Sequence, residues 1–268
     1  MIPKIIHYCW IGNNPLTPLA KKCIDSWHKI MPEYEIKLWN EQNYDCEKNN
    51  FMKNAYKQKK WAFVSDYMRF DVLYQYGGLF FDTDVEVLKS FDDFLKYSAF
   101  CGFENSNFVN PGLVIGGEKN NKVFLDVLDL YNNLPLQLNE KILQIHKIYP
   151  KIIKSWKNTF VTSPVMLTNV LLNSYGLEMI DSRQTLQNIE VFPSNYFAPK
   201  VKETNFSIKN DIAYSIHWYA ASWIREDTYK KNRIRQFVIS LIGEKYAEYL
   251  FKIRRFLKKS LSFLFKWL

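Results

Sequence analysis

The chain has 268 residues, 47% hydrophobic and 17% aromatic, which excludes a disordered chain and suits one large domain with or without an appendage. Its net charge of +9 sits at one end: residues 230–268 hold eleven Lys/Arg and two Glu, while residues 1–229 hold twenty-five of each sign. The body of the chain is therefore neutral and shows no nucleic-acid surface.

Lys4 to Trp10 reads as a first strand, and Gly12-Asn13-Asn14-Pro15 as a turn. Thr17 then caps a helix with Pro18 at its first position, running to about Met31 before Pro32. Glu35–Trp39 reads as a second strand, 50–60 as a polar helix, and 62–76 as an amphipathic helix. Gly77-Gly78 ends that helix and turns the chain into an apolar strand, Leu79-Phe80-Phe81, tipped by Asp82 and Asp84. This alternation predicts an α/β sheet of nucleotide-binding type. Short strands are expected at Phe100–Phe103 and Leu113–Ile115, helices at 121–132, 139–149 and 164–174, and a late strand from Ile212 to Trp218. The four cysteines, Cys9, Cys23, Cys46 and Cys101, lack any Cys-x-x-Cys spacing, which argues against zinc and predicts a reducing compartment. The segment Ile5–Ile11 is too short and polar for a signal peptide, and no apolar run reaches the ~18 residues of a membrane-spanning helix.

Ligands of α/β sheets bind at the carboxyl ends of strands, where Asp82 and Asp84 fall. Two carboxylates there suit Mg²⁺ or Mn²⁺ and a diphosphate; the same pair also fits a solvated acidic turn. Asp66 and Arg69 share a helix face at i, i+3, as a surface ion pair or as a clamp on sugar hydroxyls. Trp10, ending the first strand, can stack on a base or fill the core. His217, in His217-Trp218-Tyr219-Ala220-Ala221-Ser222-Trp223, is a candidate ligand for Mn²⁺ or a structural imidazole. Thr162-Ser163-Pro164 offers an anion-friendly helix start or an ordinary cap.

Four segments occur together and in order: Ile2 to Gly12, Ser65-Asp66-Tyr67-Met68-Arg69, Gly77 to Asp84, and the His217 to Trp223 stretch. Across residues 1–224 they resemble the family 32 glycosyltransferases, with their sugar-binding region containing an Asp-x-Asp motif, and the core of the large clostridial glucosylating toxins. The resemblance implies a GT-A fold, a nucleotide-sugar donor such as a UDP-sugar, Mn²⁺ or Mg²⁺, and retention of anomeric configuration. It implies that Trp10 stacks on the base and that Ser65 belongs to the donor site, with Asp66 and Arg69 on the donor sugar. Asp82 would touch ribose and diphosphate, Asp84 the metal, and His217 the metal side; Ser222 and Trp223 would close over the diphosphate. Two positions depart from the family pattern: Phe80 replaces a frequent Tyr, and Ser163 replaces the Gly of a Gly-Pro motif, so the Ser163 segment is not expected in the site.

Two other readings compete. Phe80-Phe81-Asp82-Thr83-Asp84-Val85 has the shape of a haloacid-dehalogenase-type phosphatase motif, yet that motif would stand far from its usual place near the start of the fold. Residues 230–268 repeat apolar side chains at three and four with Lys252, Arg254, Arg255, Lys258 and Lys259 between them. That is a basic amphipathic helix suited to an anionic membrane, or to packing on its own domain or a partner. The expectation is a GT-A domain over 1–229 with a membrane-associating tail over 230–268. It would sit on the cytoplasmic face of the plasma membrane and act on a glycan or lipid-linked glycan in capsule or other cell-surface polysaccharide synthesis.

Overall fold

The computed structural model describes residues 1–105, 108–133, 161–199 and 211–220. The chain divides into two units, Met1–Tyr219 and Ala220–Leu268, and the first is described below. Its elements in chain order are β1 (Ile5–Cys9), α1 (Pro18–Ile30), β2 (Glu35–Trp39), α2 (Asn50–Lys57), α3 (Trp61–Tyr76), β3 (Gly78–Phe80) and β4 (Val85–Val87). Then follow β5 (Ala99–Asn105), β6 (Phe108–Val109), β7 (Ile115–Gly117), α4 (Lys122–Asn132), α5 (Ser163–Ser174), β8 (Gln184–Leu186), β9 (Ile189–Phe192) and β10 (Ser215–His217). The expected helix at 139–149 and the tail over 230–268 lie outside the described residues.

The main sheet has the order β2-β1-β3-β7-β5-β9-β8, with β6 on β5. Strands β2, β1 and β3 are parallel; β7 is antiparallel to both β3 and β5; β9 is parallel to β5. It follows that β2, β1, β3, β5 and β9 all run one way, and that β1, β3 and β5 end at the same edge of the sheet. The α/β class read from the sequence holds. Both faces are covered. Phe80 turns into a core built from α2–α5, while Leu79 and Phe81 turn to the opposite side, where Trp27 of α1 and Phe91 pack. That alternation is the period of two of a strand buried on both faces.

Local chemistry explains the segment boundaries. The Thr17 hydroxyl accepts from Ala20 N at 3.1 Å and so caps α1, as its sequence predicts. Gly77 and Gly78 have φ of +69° and +109°. A Cβ on Gly78 would lie 2.6 Å from the Ile5 carbonyl oxygen, so the turn into β3 has neither the dihedral nor the room for a side chain. Helix α3 differs from the amphipathic expectation: from Asp66 to Leu73 it is buried on every side, including its charged Asp66, Arg69 and Asp71. The reason is that α2 and α4 both pack on it.

His7 ties these parts together. Its Nε2 donates to the Gly77 carbonyl at 2.8 Å, and its Nδ1 accepts from Trp39 Nε1 at 3.0 Å. A carbonyl can only accept and an indole N–H can only donate, so these two bonds select the neutral Nε2–H tautomer. Burial pushes the His7 pKa down to about 4, against the lesser upward pull of the Gly77 carbonyl. The unfolded chain binds this proton near its ordinary value of 6.5, so the His7 contribution is fully present above that pH and lost as pH falls towards 4. Between pH 7.5 and 5 the loss is about 2 kcal/mol. Asp66, whose pKa is raised to about 6, acts in the opposite direction over part of this range. Urea unfolding of the parent and of His7→Gln separates them: the parent should lose more stability on acidification than the variant, and equal losses would remove His7 from the account.

Two expected strands are placed differently. The strand expected from Ile212 to Trp218 is only Ser215–His217, and it leaves the main sheet to pair antiparallel with β4, His217 opposite Val85. The strand expected at Leu113–Ile115 begins at Ile115 and runs through Gly116 and Gly117. Those glycines lie in the strand because rings occupy the space of their side chains: a Cβ on Gly117 would be 2.4 Å from Phe124.

Candidate functional site

Strand β3 ends at Phe80, Phe81 N still donates to the His7 carbonyl of β1 at 3.1 Å, and Asp82 and Asp84 lie in the turn that follows. Val85 N donates to the Asp82 carbonyl at 3.1 Å, closing that turn and presenting both carboxylates at the sheet edge where β1 and β5 also end. The β4–β10 ribbon then delivers His217: Trp218 N donates to the Asp84 carbonyl at 2.9 Å, and His217 Nε2 lies 3.2 Å from Asp84 Oδ1 and 4.0 Å from Asp82 Oδ2. One ligand atom from each of Asp82, Asp84 and His217 falls within 4.8 Å of the others.

Two carboxylates and an imidazole at this spacing fit a divalent cation, with hard oxygens suited to Mg²⁺ and the added nitrogen favouring Mn²⁺. The electrostatics agree with that fit. Burial raises the Asp82 pKa, with Arg69 opposing and the Asp84 charge adding to the rise. For His217, burial works downward but is outweighed by the bond to Asp84 and by the charges of Asp84, Asp82 and Glu104, so its pKa is raised. The cluster carries excess negative charge and draws a cation or a proton to the same place.

On the other side of Asp82 lies Arg69. Its Nη2 donates to Asp82 Oδ1 at 2.9 Å and to Asp66 Oδ1 at 3.3 Å, and its guanidinium lies over the Phe80 ring, 5.1 Å from the centroid. Arg69 is 3% exposed and Asp66 7%, so the surface ion pair open from the sequence is not what forms. Arg69 Nε and Nη1 are buried and have no hydrogen-bond partner among the described residues. Buried donors of this kind call for acceptors.

Asp66 is itself held from three directions. Ser163 Oγ donates to Asp66 Oδ1 at 2.5 Å, the Ser163 backbone adds a bond at the N-terminus of α5, and the Tyr131 hydroxyl donates to the Asp66 carbonyl at 3.5 Å. Burial pushes the Asp66 pKa up to about 6, with Arg69 and then Ser163 holding it down. The Ser163 segment, not expected in the site, therefore reaches it through Asp66. Phe80, which lacks the frequent hydroxyl, instead offers its ring to the Arg69 guanidinium.

Trp10 follows β1 at the same sheet edge; its Nε1 donates to the Asn14 carbonyl at 2.6 Å, which fixes the half-buried indole over the turn. Ser65 is half-buried and bonds the Cys9 thiol at the end of β1. Ser222 and Trp223 lie outside the described residues. Three neighbours went unread in the sequence: Glu104 near the end of β5, and Asn110 and Gly112 in the turn before β7. Gly112 is pressed against the site, since a Cβ there would lie 2.5 Å from Asp82 Oδ2. The Asn110-Pro111-Gly112 turn signal was the one available clue.

The α/β sheet thus carries a carboxylate pair, an imidazole and a buried arginine at its carboxyl edge, a candidate site for a divalent cation. Residues 18–101 match the family described as glycosyltransferase sugar-binding region containing DXD motif, a span that holds Asp66, Arg69, Asp82 and Asp84. The match falls on motifs that carry the resemblance expected from the sequence. Inositol phosphoceramide mannosyltransferase 3 of Schizosaccharomyces pombe is 29% identical over 145 residues, 50% of this chain and 37% of that protein. Uncharacterized glycosyltransferase L373 of Acanthamoeba polyphaga mimivirus is 30% identical over 139 residues, 46% of this chain and 53% of the relative. The chain thus spans about half or less of the curated relatives it matches. Among solved structures, the PaToxG glycosyltransferase is 21% identical, with a TM-score of 0.41 over 64% of this chain and 75% of its own.

Proposed function

We propose that this protein is a metal-dependent, retaining glycosyltransferase that moves a sugar from a nucleotide-sugar, a UDP-sugar in our reading, to a glycan acceptor. The observation that carries it is the Asp82–Asp84–His217 cluster standing against the Asp66–Arg69 clamp. Mn²⁺ or Mg²⁺ bound there would neutralise the charge that grows on the leaving diphosphate. Asp84 and His217 would hold that ion, and Asp82 would share it while Arg69 fixes its second oxygen. Arg69 and Asp66 would orient the donor sugar, and Trp10, with Ser65 nearby, would bound the base. Ser222 and Trp223 would close over the diphosphate. No carboxylate pair is assigned as a nucleophile, and the leaving diphosphate would itself help take the acceptor proton. The phosphatase reading is weaker: it needs Asp82 free to attack, and Asp82 Oδ1 is held by Arg69 at 2.9 Å.

The test is UDP binding by calorimetry. Affinity should be measurable with Mn²⁺ and fall at least about tenfold in excess chelator; equal affinity in both would sink the metal-dependent site.

In the same reading, 1–229 is a GT-A donor domain and 230–268 a tail that lies on an anionic membrane surface. The acceptor is then lipid-linked, in cell-surface polysaccharide assembly at the cytoplasmic face of the plasma membrane. The charge confined to the tail supports this, and so does a relative whose name specifies an inositol phosphoceramide acceptor. Among the described residues no helix is long and apolar enough to cross a membrane. Each basic residue near such a surface contributes about 1 kcal/mol. The full chain should sediment with phosphatidylglycerol vesicles, less so as salt rises, and a chain ending at residue 229 should stay in the supernatant. Equal sedimentation of the two would reject the tail as the anchor.

A further inference from the structure

Because β5 runs with β1 and β3, Glu104 emerges at the edge that carries Asp82. Its carboxylate is half-buried and gathers two distant segments. Asn110 Nδ2 donates to Glu104 Oε2 at 3.0 Å, while Asn110 Oδ1 accepts from Gly112 N at 2.7 Å beside Asp82. The Tyr219 hydroxyl bonds the same Glu104 carboxylate, and the Tyr219 ring meets the His217 imidazole at a 78° tilt with centroids 4.2 Å apart.

Tyr219 is unlike the core aromatics. It is 46% exposed, and its backbone has φ of +49°, a left-handed conformation that costs a residue with a side chain about 1–2 kcal/mol. A ring held half in water by a strained backbone, with its hydroxyl anchored and its edge on a candidate metal ligand, is placed for contact with something outside the chain. The position of that contact follows from Asp82. Its Oδ1 faces Arg69 and Asp66, and its Oδ2 faces His217 and, through it, Tyr219 and Glu104. A donor sugar held by Arg69 leaves Tyr219 and Glu104 to a second sugar.

We infer that Tyr219 and Glu104 form the acceptor subsite, and that it takes a neutral pyranose. The apolar C–H face of the sugar lies on the Tyr219 ring, and its hydroxyls donate to the Glu104 carboxylate. The site is selective by charge: Glu104, with Asp82 and Asp84 close by, repels an anionic sugar such as a uronate. This inference rests on the glycosyltransferase reading for the word acceptor, while the sugar-binding surface itself can be tested alone.

The test is saturation-transfer NMR on the full chain with the methyl glycosides of glucose, galactose and mannose and with methyl glucuronide, each with and without UDP and Mn²⁺. At least one neutral glycoside should give a signal strongest on one C–H face, and the glucuronide should give none. Binding should weaken about tenfold in Tyr219→Ala, the scale of a lost aromatic contact, and also in Glu104→Gln. Tyr219→Phe keeps the ring and its volume and should retain most of the signal, which separates loss of the contact from loss of the fold. No signal from any neutral glycoside, or an undiminished one in Tyr219→Ala, would overturn the inference. If the parent fails to bind UDP yet shows a Tyr219-dependent glycoside signal, the donor reading falls and the sugar subsite stands.

Discussion

Asp84→Asn should reduce sugar transfer by at least about a thousandfold while leaving the fold intact. Asp84 is the carboxylate nearest His217, at 3.2 Å, and one of three groups that converge within 4.8 Å. Asparagine keeps the size and one oxygen but removes the charge on which divalent binding depends. The same change relieves repulsion, since the Asp84 charge is one of the causes raising the Asp82 pKa. It also removes the partner that raises the His217 pKa, so the two effects oppose each other and the variant should stay folded without metal. With UDP and Mn²⁺ the parent should melt at a higher temperature, through ligand linkage, and the variant should show no such rise. Turnover of a nucleotide-sugar within a few-fold of the parent would remove Asp84 from the metal site.

Arg69→Ala should cost both stability and turnover, and its stability cost should depend on pH. Arg69 is a buried counter-charge for two carboxylates and has its guanidinium over Phe80. Breaking such a buried pair costs about 3–5 kcal/mol, because the charges left behind have lost their partner. Asp66 already has a pKa near 6 with Arg69 present; without it the value rises further. The folded variant then takes up protons that the unfolded chain, at its ordinary carboxylate value, does not. Its stability deficit should therefore be largest at high pH and shrink as pH falls towards 6, where Asp66 of the parent also takes up its proton. Turnover should fall about a hundredfold or more, with UDP affinity much less affected, because the unpaired Arg69 donors are assigned to the sugar. Arg69→Lys should recover part of the stability but little of the turnover, since an ammonium lacks the planar guanidinium whose Nε and Nη1 donors are assigned to the sugar. Denaturant midpoints across pH, with UDP titrations on the same samples, decide this. An alanine variant as stable as the parent at pH 8 would show that Arg69 is not a needed counter-charge, and equal losses for UDP and UDP-sugar would move it off the sugar.

Much of this site was legible because it is made of contiguous motifs. Gly77-Gly78, the Leu79–Phe81 run and the Asp82/Asp84 pair are neighbours in the chain, so local rules place them: glycine where φ is positive, alternation where both faces are buried, carboxylates at the strand end. Helices α1, α3, α4 and α5 begin within a residue or so of where capping and periodicity put them. The short strands were harder. Strands β4, β6, β8 and β9 were not anticipated, because two to four residues carry too little pattern to separate a strand from a loop.

The amino-acid sequence by itself determined the α/β class, the Asp82/Asp84 pair, the Asp66/Arg69 pair on one helix face, and the confinement of excess charge to residues 230–268. Each of those depends on residue type and short spacing, which survive without coordinates. Only the tertiary structure decided which partners those groups have. Pairing of β10 with β4 brings His217 to Asp84; packing of α5 on α3 brings Ser163 to Asp66; the common direction of β3 and β5 brings Glu104 to the edge that bears Asp82. These are contacts between segments far apart in the chain. They are settled by strand direction, register and helix packing, and no local propensity encodes which distant side chain will arrive.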